Sequence, residues 1–142
     1  MTHEHSPLYA LYDAIHAALD GQITLSAGGA MVPIESVMPA TPRYPFVLFT
    51  VSARPLHNLT DETYECQGYF GVHSTADTLD DVLIIKQQLI ALLTHETFSI
   101  SGWGCGQGES DLQETDFHAD ANPTRLRGTL AVKWPVTYWP TL

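Results

Sequence analysis

The sequence predicts an α+β domain, a mostly antiparallel β-sheet with two helices packed on one face. Three observations carry this. Residues 7–20 and 78–93 place apolar side chains at spacings of three and four, the mark of helices with one buried stripe. Residues 64–73 and 125–134 alternate residue by residue, as half-buried strands do. The order helix, strands, helix, strands gathers the helices on one face of an antiparallel sheet.

The first helix is framed by Ser6, which can cap it, by Pro7 at the first helical position and by Gly21, which stops it. Leu8, Leu11, Tyr12, Ile15 and Leu19 form its buried stripe. Ile23–Leu25 and Met31–Val37 suggest brief strands around Gly28-Gly29, and Pro39, Pro42 and Pro45 impose an extended run. Phe46–Ser52 is apolar on both faces, as expected of a central strand, and residues 53–62 read as a polar loop. In the next strand Tyr64, Cys66, Gly68, Phe70 and Val72 point one way, and Glu65, Gln67, Tyr69 and His73 the other. The second helix is capped by Asp77 or Thr78, with Asp80 and Asp81 against the positive end of its dipole. Leu79, Val82, Leu83, Ile85, Leu89, Ile90, Leu92 and Leu93 form its apolar stripe, and Lys86, Gln87 and Gln88 its wet side. Strands follow at Phe98–Trp103, Leu112–Phe117 and Arg125–Trp134, with a turn at Asn122-Pro123. Pro135 and Pro140 suggest a tail that leaves the sheet or lies on an edge.

The 142 residues suit a single domain, 1–142, large enough to bury a core without a disulfide or metal, with residues 1–5 expected to be disordered. Sixteen acidic against six basic residues give a net charge of −10, which disfavours binding to phosphate backbones and to anionic membranes. No apolar run reaches the roughly 18 residues of a membrane helix, and no signal peptide is visible, so Cys66 and Cys105 are expected as free thiols in a reducing cytosol. Glu109, Asp111, Glu114, Asp116 and Asp120 crowd one segment, and Arg125, Arg127 and Lys133 the next. Pairing as strands would bring these opposite charges together, and the acids lack the spacing of a calcium loop.

The chemistry is sparse. Gly102–Gly108 alternates glycines, but it leads into an acidic strand and no Walker lysine follows, so it reads as a hairpin connection. Cys105 lies among glycine and acid, which works against a thiolate. The seven histidines form neither H-E-x-x-H nor a zinc spacing with cysteine, and His3-Glu4-His5 reads as an exposed leader. No catalytic, cofactor or metal set is expected. Large apolar groups near ends and turns are candidates for an interface: Leu56, Leu59, Trp103 and Trp139. Trp134 reads as core.

This layout resembles the tail-completion or tail-terminator proteins of long-tailed bacteriophages and gene transfer agents. The likeness rests on the amphipathic helix Pro7–Asp20 and the approach Tyr44-Pro45-Phe46-Val47-Leu48. It also rests on the strand Tyr64–Ser74 running into the helix Thr78–Leu93, and on Arg-x-Arg-Gly-Thr-Leu-x-Val at 125–132. Gly102–Gly108 and the Trp-rich end have no counterpart in it. The resemblance implies a virion structural protein, assembled in the host cytoplasm and not an enzyme. It implies a homo-oligomeric ring, usually a hexamer, that caps the tail tube and meets the head-completion or stopper protein, with DNA only passing through. An acidic channel would let DNA slide without sticking. The rival readings are another head–tail connector or neck protein, and a small α+β enzyme or ligand-binding domain using Cys105 or a histidine pair.

Overall fold

A computed structural model describes residues 7–25, 29–41, 43–55, 63–75, 79–95, 98–100, 102–110, 117–119 and 125–138. Residues 1–5, Ser6, Gly28, Leu56, Leu59, Asp77, Thr78, Asn122-Pro123, Trp139 and Pro140 lie outside them. So does most of the strand expected at 112–117.

Two helices, α1 (Leu8–Leu19) and α2 (Leu79–Leu93), pack on one face of a curled, mostly antiparallel sheet. Its strands are β1 (Ile34–Glu35), β2 (Phe46–Pro55), β3 (Thr63–Thr75), β4 (Trp103–Cys105), β5 (Glu109–Ser110), β6 (Phe117–Ala119) and β7 (Arg125–Tyr138). The sheet runs β1-β2-β3-β7-β4, with β5 and β6 also paired to β7. Among the described residues only β1 against β2 is parallel.

Pro7 is the N-cap of α1 and not its first helical residue, and its carbonyl accepts from the Leu11 N–H at 2.7 Å. Gly21 follows the helix at φ +73°, a conformation that a side chain disfavours. Leu11, Ile15 and Leu19 are buried, whereas Leu8 is exposed at the start of the stripe. On α2, Val82, Ile85, Leu89 and Leu93 are buried and Leu83 is exposed. The expected wet side of α2 needs correction. Lys86 is only 4% exposed, so its four-carbon stem is packed inside. The Gln88 amide accepts from the Thr24 N–H at 2.8 Å and donates to the Thr24 carbonyl at 2.5 Å, so it serves as a surrogate strand neighbour for Thr24. Around it the two brief strands expected before Pro39 shrink to a single bridge, Thr24–Met31, and to β1.

The β2–β3 hairpin is longer than its apolar stretch suggests. Pairing continues to Pro55 opposite Tyr64, so residues 53–55 are strand and not loop. Inward residues align in rows across three strands: Val47–Val72–Gly128, Phe49–Phe70–Leu130, Val51–Gly68–Val132 and Ala53–Cys66–Trp134. Against these rows the helices close one contiguous cluster, with Tyr12 stacked on Phe49 at 5.2 Å.

The last third departs most from expectation. The segment 98–100 precedes the strand, which is confined to Trp103–Cys105. The glycine-rich stretch is therefore not a free connection, since its middle is β4, paired to the end of β7. Pro135 is not at an edge either, because it lies inside β7 opposite Glu65. The Pro135 carbonyl accepts from the Gly106 N–H at 2.8 Å. A strand residue points its N–H and C=O toward the same neighbour, so the donor that proline lacks faces the β4–β5 side and the β3–β7 ladder is uncut.

Glycine at 106 and 108 follows from this close approach. A Cβ on Gly106 would meet Pro135 Cγ at 2.5 Å, and one on Gly108 would collide with the Trp134 indole and meet the Leu93 carbonyl at 3.0 Å. Gly108→Ala is expected to destabilise the protein by about 1–3 kcal/mol, the range for overpacking a filled core. The nearby exposed change Gln107→Ala should stay within about 0.5 kcal/mol. Urea denaturation midpoints of the two variants give the comparison.

Candidate interaction surface

With the inward rows covered by helices, the odd-numbered residues of β7 and their partners build the opposite face. Its rows are Phe46–His73–Arg127, Leu48–Gly71–Thr129, Thr50–Tyr69–Ala131, Ser52–Gln67–Lys133 and Arg54–Glu65–Pro135. Alternation alone assigned His73 to an open face, but it is buried, stacked on Phe46 at 4.8 Å and 6° between planes. Gly71 has no side chain to fill the middle of the face. A hollow of about 340 Å³ opens there, at the small end of ligand-sized cavities. Leu48, Thr50, Tyr69 and Ala131 line it, and His73 and Arg127 close one end. Tyr69 stands at its rim, 50% exposed.

Of the acids expected to face Arg125, Arg127 and Lys133, only Glu109 lies among the described residues. Arg54 and Glu65 form an exposed ion pair at 3.4 Å, which contributes little to stability. Glu109 of β5 stands opposite Lys133 in register, and His118 opposite Arg127. The outward face is thus mixed in charge, whereas the helical layer is acidic. Asp13, Asp20, Asp80 and Asp81 lie on or beside the two helices, whose one Lys or Arg is the buried Lys86.

Of the four interface candidates, Leu56, Leu59 and Trp139 lie outside the described residues. Trp103 is half-buried, edge-on to Tyr64 at 5.5 Å, where it covers the end of the sheet. Trp134 is fully buried, as its alternation implied. The hollow over Gly71 was not singled out in the sequence. The cue was a glycine on the outward side of a strand, which becomes informative only when its row partners are known.

The two cysteines are free. Cys105 shares a small cavity of about 130 Å³ with His95, Phe98 and Gly106–Gly108. Its Sγ–H is directed at the Gly106 carbonyl at 3.3 Å. Burial pushes the Cys105 thiol up to about 11. Burial, and secondarily the Cys105 charge, pushes Cys66 up to about 12. Both shifts oppose the thiolate that a nucleophile or soft-metal ligand needs. Among the described residues no three or more His, Cys, Asp or Glu side chains gather as a metal site, and no helix is long and apolar enough to cross a membrane.

The fold has a close counterpart among solved structures. A chain in the virion of a native gene transfer agent particle superimposes with a TM-score of 0.77, over 94% of this chain and 99% of that one. The two share one fold. Their sequences are 12% identical, so the likeness lies in architecture and not in shared side chains. No protein-family model and no curated protein matches the sequence.

The thiols give a pH dependence with a definite sign. Each is an acid whose folded pKa lies above its ordinary value near 9. Above about pH 9 the unfolded chain loses thiol protons that the folded chain keeps, so stability falls as pH rises from 9 toward 11–12. Urea midpoints between pH 8 and pH 10.5 should decline in the native sequence and decline less in Cys66→Ala.

Proposed function

We propose that this protein is a structural component of a phage-like virion, and specifically a tail terminator. In this reading copies form a ring, expected to be a hexamer, on the finished end of the tail tube. The ring's other side receives the head-completion protein, and DNA passes through its centre. The observation that carries the reading is the fold shared with a gene transfer agent virion chain along nearly the full length of both molecules. The sequence layout of helix, hairpin, helix and Arg-x-Arg-Gly-Thr-Leu-x-Val strand, which resembles tail terminators, supports the same assignment. The suppressed reactivity of both thiols accords with work done by surfaces and not by a reacting group. A net charge of −10 would keep the passing DNA from adhering.

The test is to mix the purified protein with polymerising tail-tube protein from the same particle. A tail terminator arrests elongation and leaves a cap visible on one tube end by negative-stain electron microscopy. Tubes that grow unchanged with bare ends overturn the assignment. Bare tubes combined with binding to the head-completion protein would move the protein to the neck.

A further inference from the structure

The two faces of the domain are complementary to each other, yet they lie on opposite sides of the sheet and cannot meet within one copy. The outward sheet face carries the apolar hollow over Gly71, closed at one end by Arg127 and His73. The helical face carries Tyr9, the most exposed large apolar side chain among the described residues at 76%, with Asp13 one turn further along α1. Residues four apart on a helix are surface neighbours about 6 Å apart, so an aromatic ring and a carboxylate are presented as a pair. An aromatic ring suits a hollow lined by Leu48, Tyr69 and Ala131, and a carboxylate suits a guanidinium at its end. The wider charge adds to this. The Asp, Glu, Lys and Arg side chains that the two helices leave at the surface are all acids, while the outward sheet face carries Arg54, Arg127 and Lys133 against Glu65 and Glu109.

We infer that a second copy of this chain docks here, the Tyr9–Asp13 stripe of α1 entering the hollow over Gly71 on its neighbour. This deepens, and rests on, the ring-forming reading above. Because the mating surfaces differ, the contact is head-to-tail, and a docked pair retains one unused donor face on one copy and one unused acceptor face on the other. Such contacts propagate, and they close into a ring when the rotation between copies allows.

Two variants at exposed positions test it, one for each face. Tyr9→Ala/Asp13→Arg breaks the helical face, and Thr50→Glu puts a carboxylate on the rim of the hollow. Both should fold, as checked by thermal unfolding. Self-association is read by light scattering across a concentration series, and by occupancy of tail-tube ends. Each variant alone should assemble at least tenfold more weakly than the native sequence. An equimolar mixture should form one-to-one dimers and stop, since only one intact pair of faces remains. Native-strength assembly of either variant, or a mixture that forms no dimers, overturns the docking while leaving the tail-terminator reading in place. A native protein that caps no tube and never self-associates overturns both.

Discussion

The fold turns on the indole of Trp134. It sits fully buried in the middle of β7, and its Nε1–H donates to the Leu93 carbonyl at 3.1 Å. That carbonyl belongs to the last turn of α2, where backbone acceptors have no partner within the helix. The same ring stacks on Phe98 at 5.0 Å and lies against Gly108. One side chain therefore fixes the end of a helix, the segment after it and the glycine-rich strand to the longest strand of the sheet. A buried donor and acceptor that satisfy each other are costly to separate, about 1–3 kcal/mol for each group left without a partner. Position 134 thus tolerates neither a smaller nor a purely apolar residue without loss.

With β7 held, the register of everything else follows. Thirteen consecutive residues of β3 pair with it on one side, and three short strands share its other side. Because side chains alternate strictly, that single register sorts every residue of the three long strands to the helical or the outward face. The hollow over Gly71 is a product of this sorting. It lies where Leu48, Gly71 and Thr129 form one row, and the missing side chain leaves space between residues 69 and 73. The cysteines are placed by the same constraint. Cys66 stands beside Trp134 on the inward side, and Cys105 on the short strand that closes over Val136, so both thiols are held where burial keeps their protons on.

Local periodicity conveyed both helices, the β2–β3 pair and the alternation of β7, because in each the buried stripe repeats over several turns or residues. It failed where a side chain answers to a distant partner. Lys86 and Gln88 are polar by composition, and nothing nearby reveals that one threads its stem into the core and the other pairs with Thr24, 64 positions away. Pro135 and the glycines at 106 and 108 look like breakers when read alone. Together they form one device, a proline turned toward the side where no donor is needed and glycines that let the next strand pass over it. The candidate interaction surface was the least legible feature. Large aromatics near loops drew attention to Trp103, which is half-buried against Tyr64, while the open face is defined by an absence of side chain at Gly71 and by an exposed Tyr9 that periodicity treats as ordinary.

The proposed docking requires a strongly acidic chain to associate with itself, and its charge pattern bears on that. A net charge of −10 makes copies repel at a distance, which keeps them apart while they are dilute. At physiological ionic strength that repulsion is screened within about 8 Å, so near contact the local pattern governs and the total does not. In the docking proposed above, the acids of a helical layer would meet a sheet face bearing Arg54, Arg127 and Lys133 beside Glu65 and Glu109, and Asp13 would approach the Arg127 end of the hollow. Two copies approaching helix to helix would bring acids against acids. In the proposed docking the distribution that holds free copies apart would thus favour one relative orientation, and selectivity of this kind is what an assembly of identical subunits needs to grow in one direction.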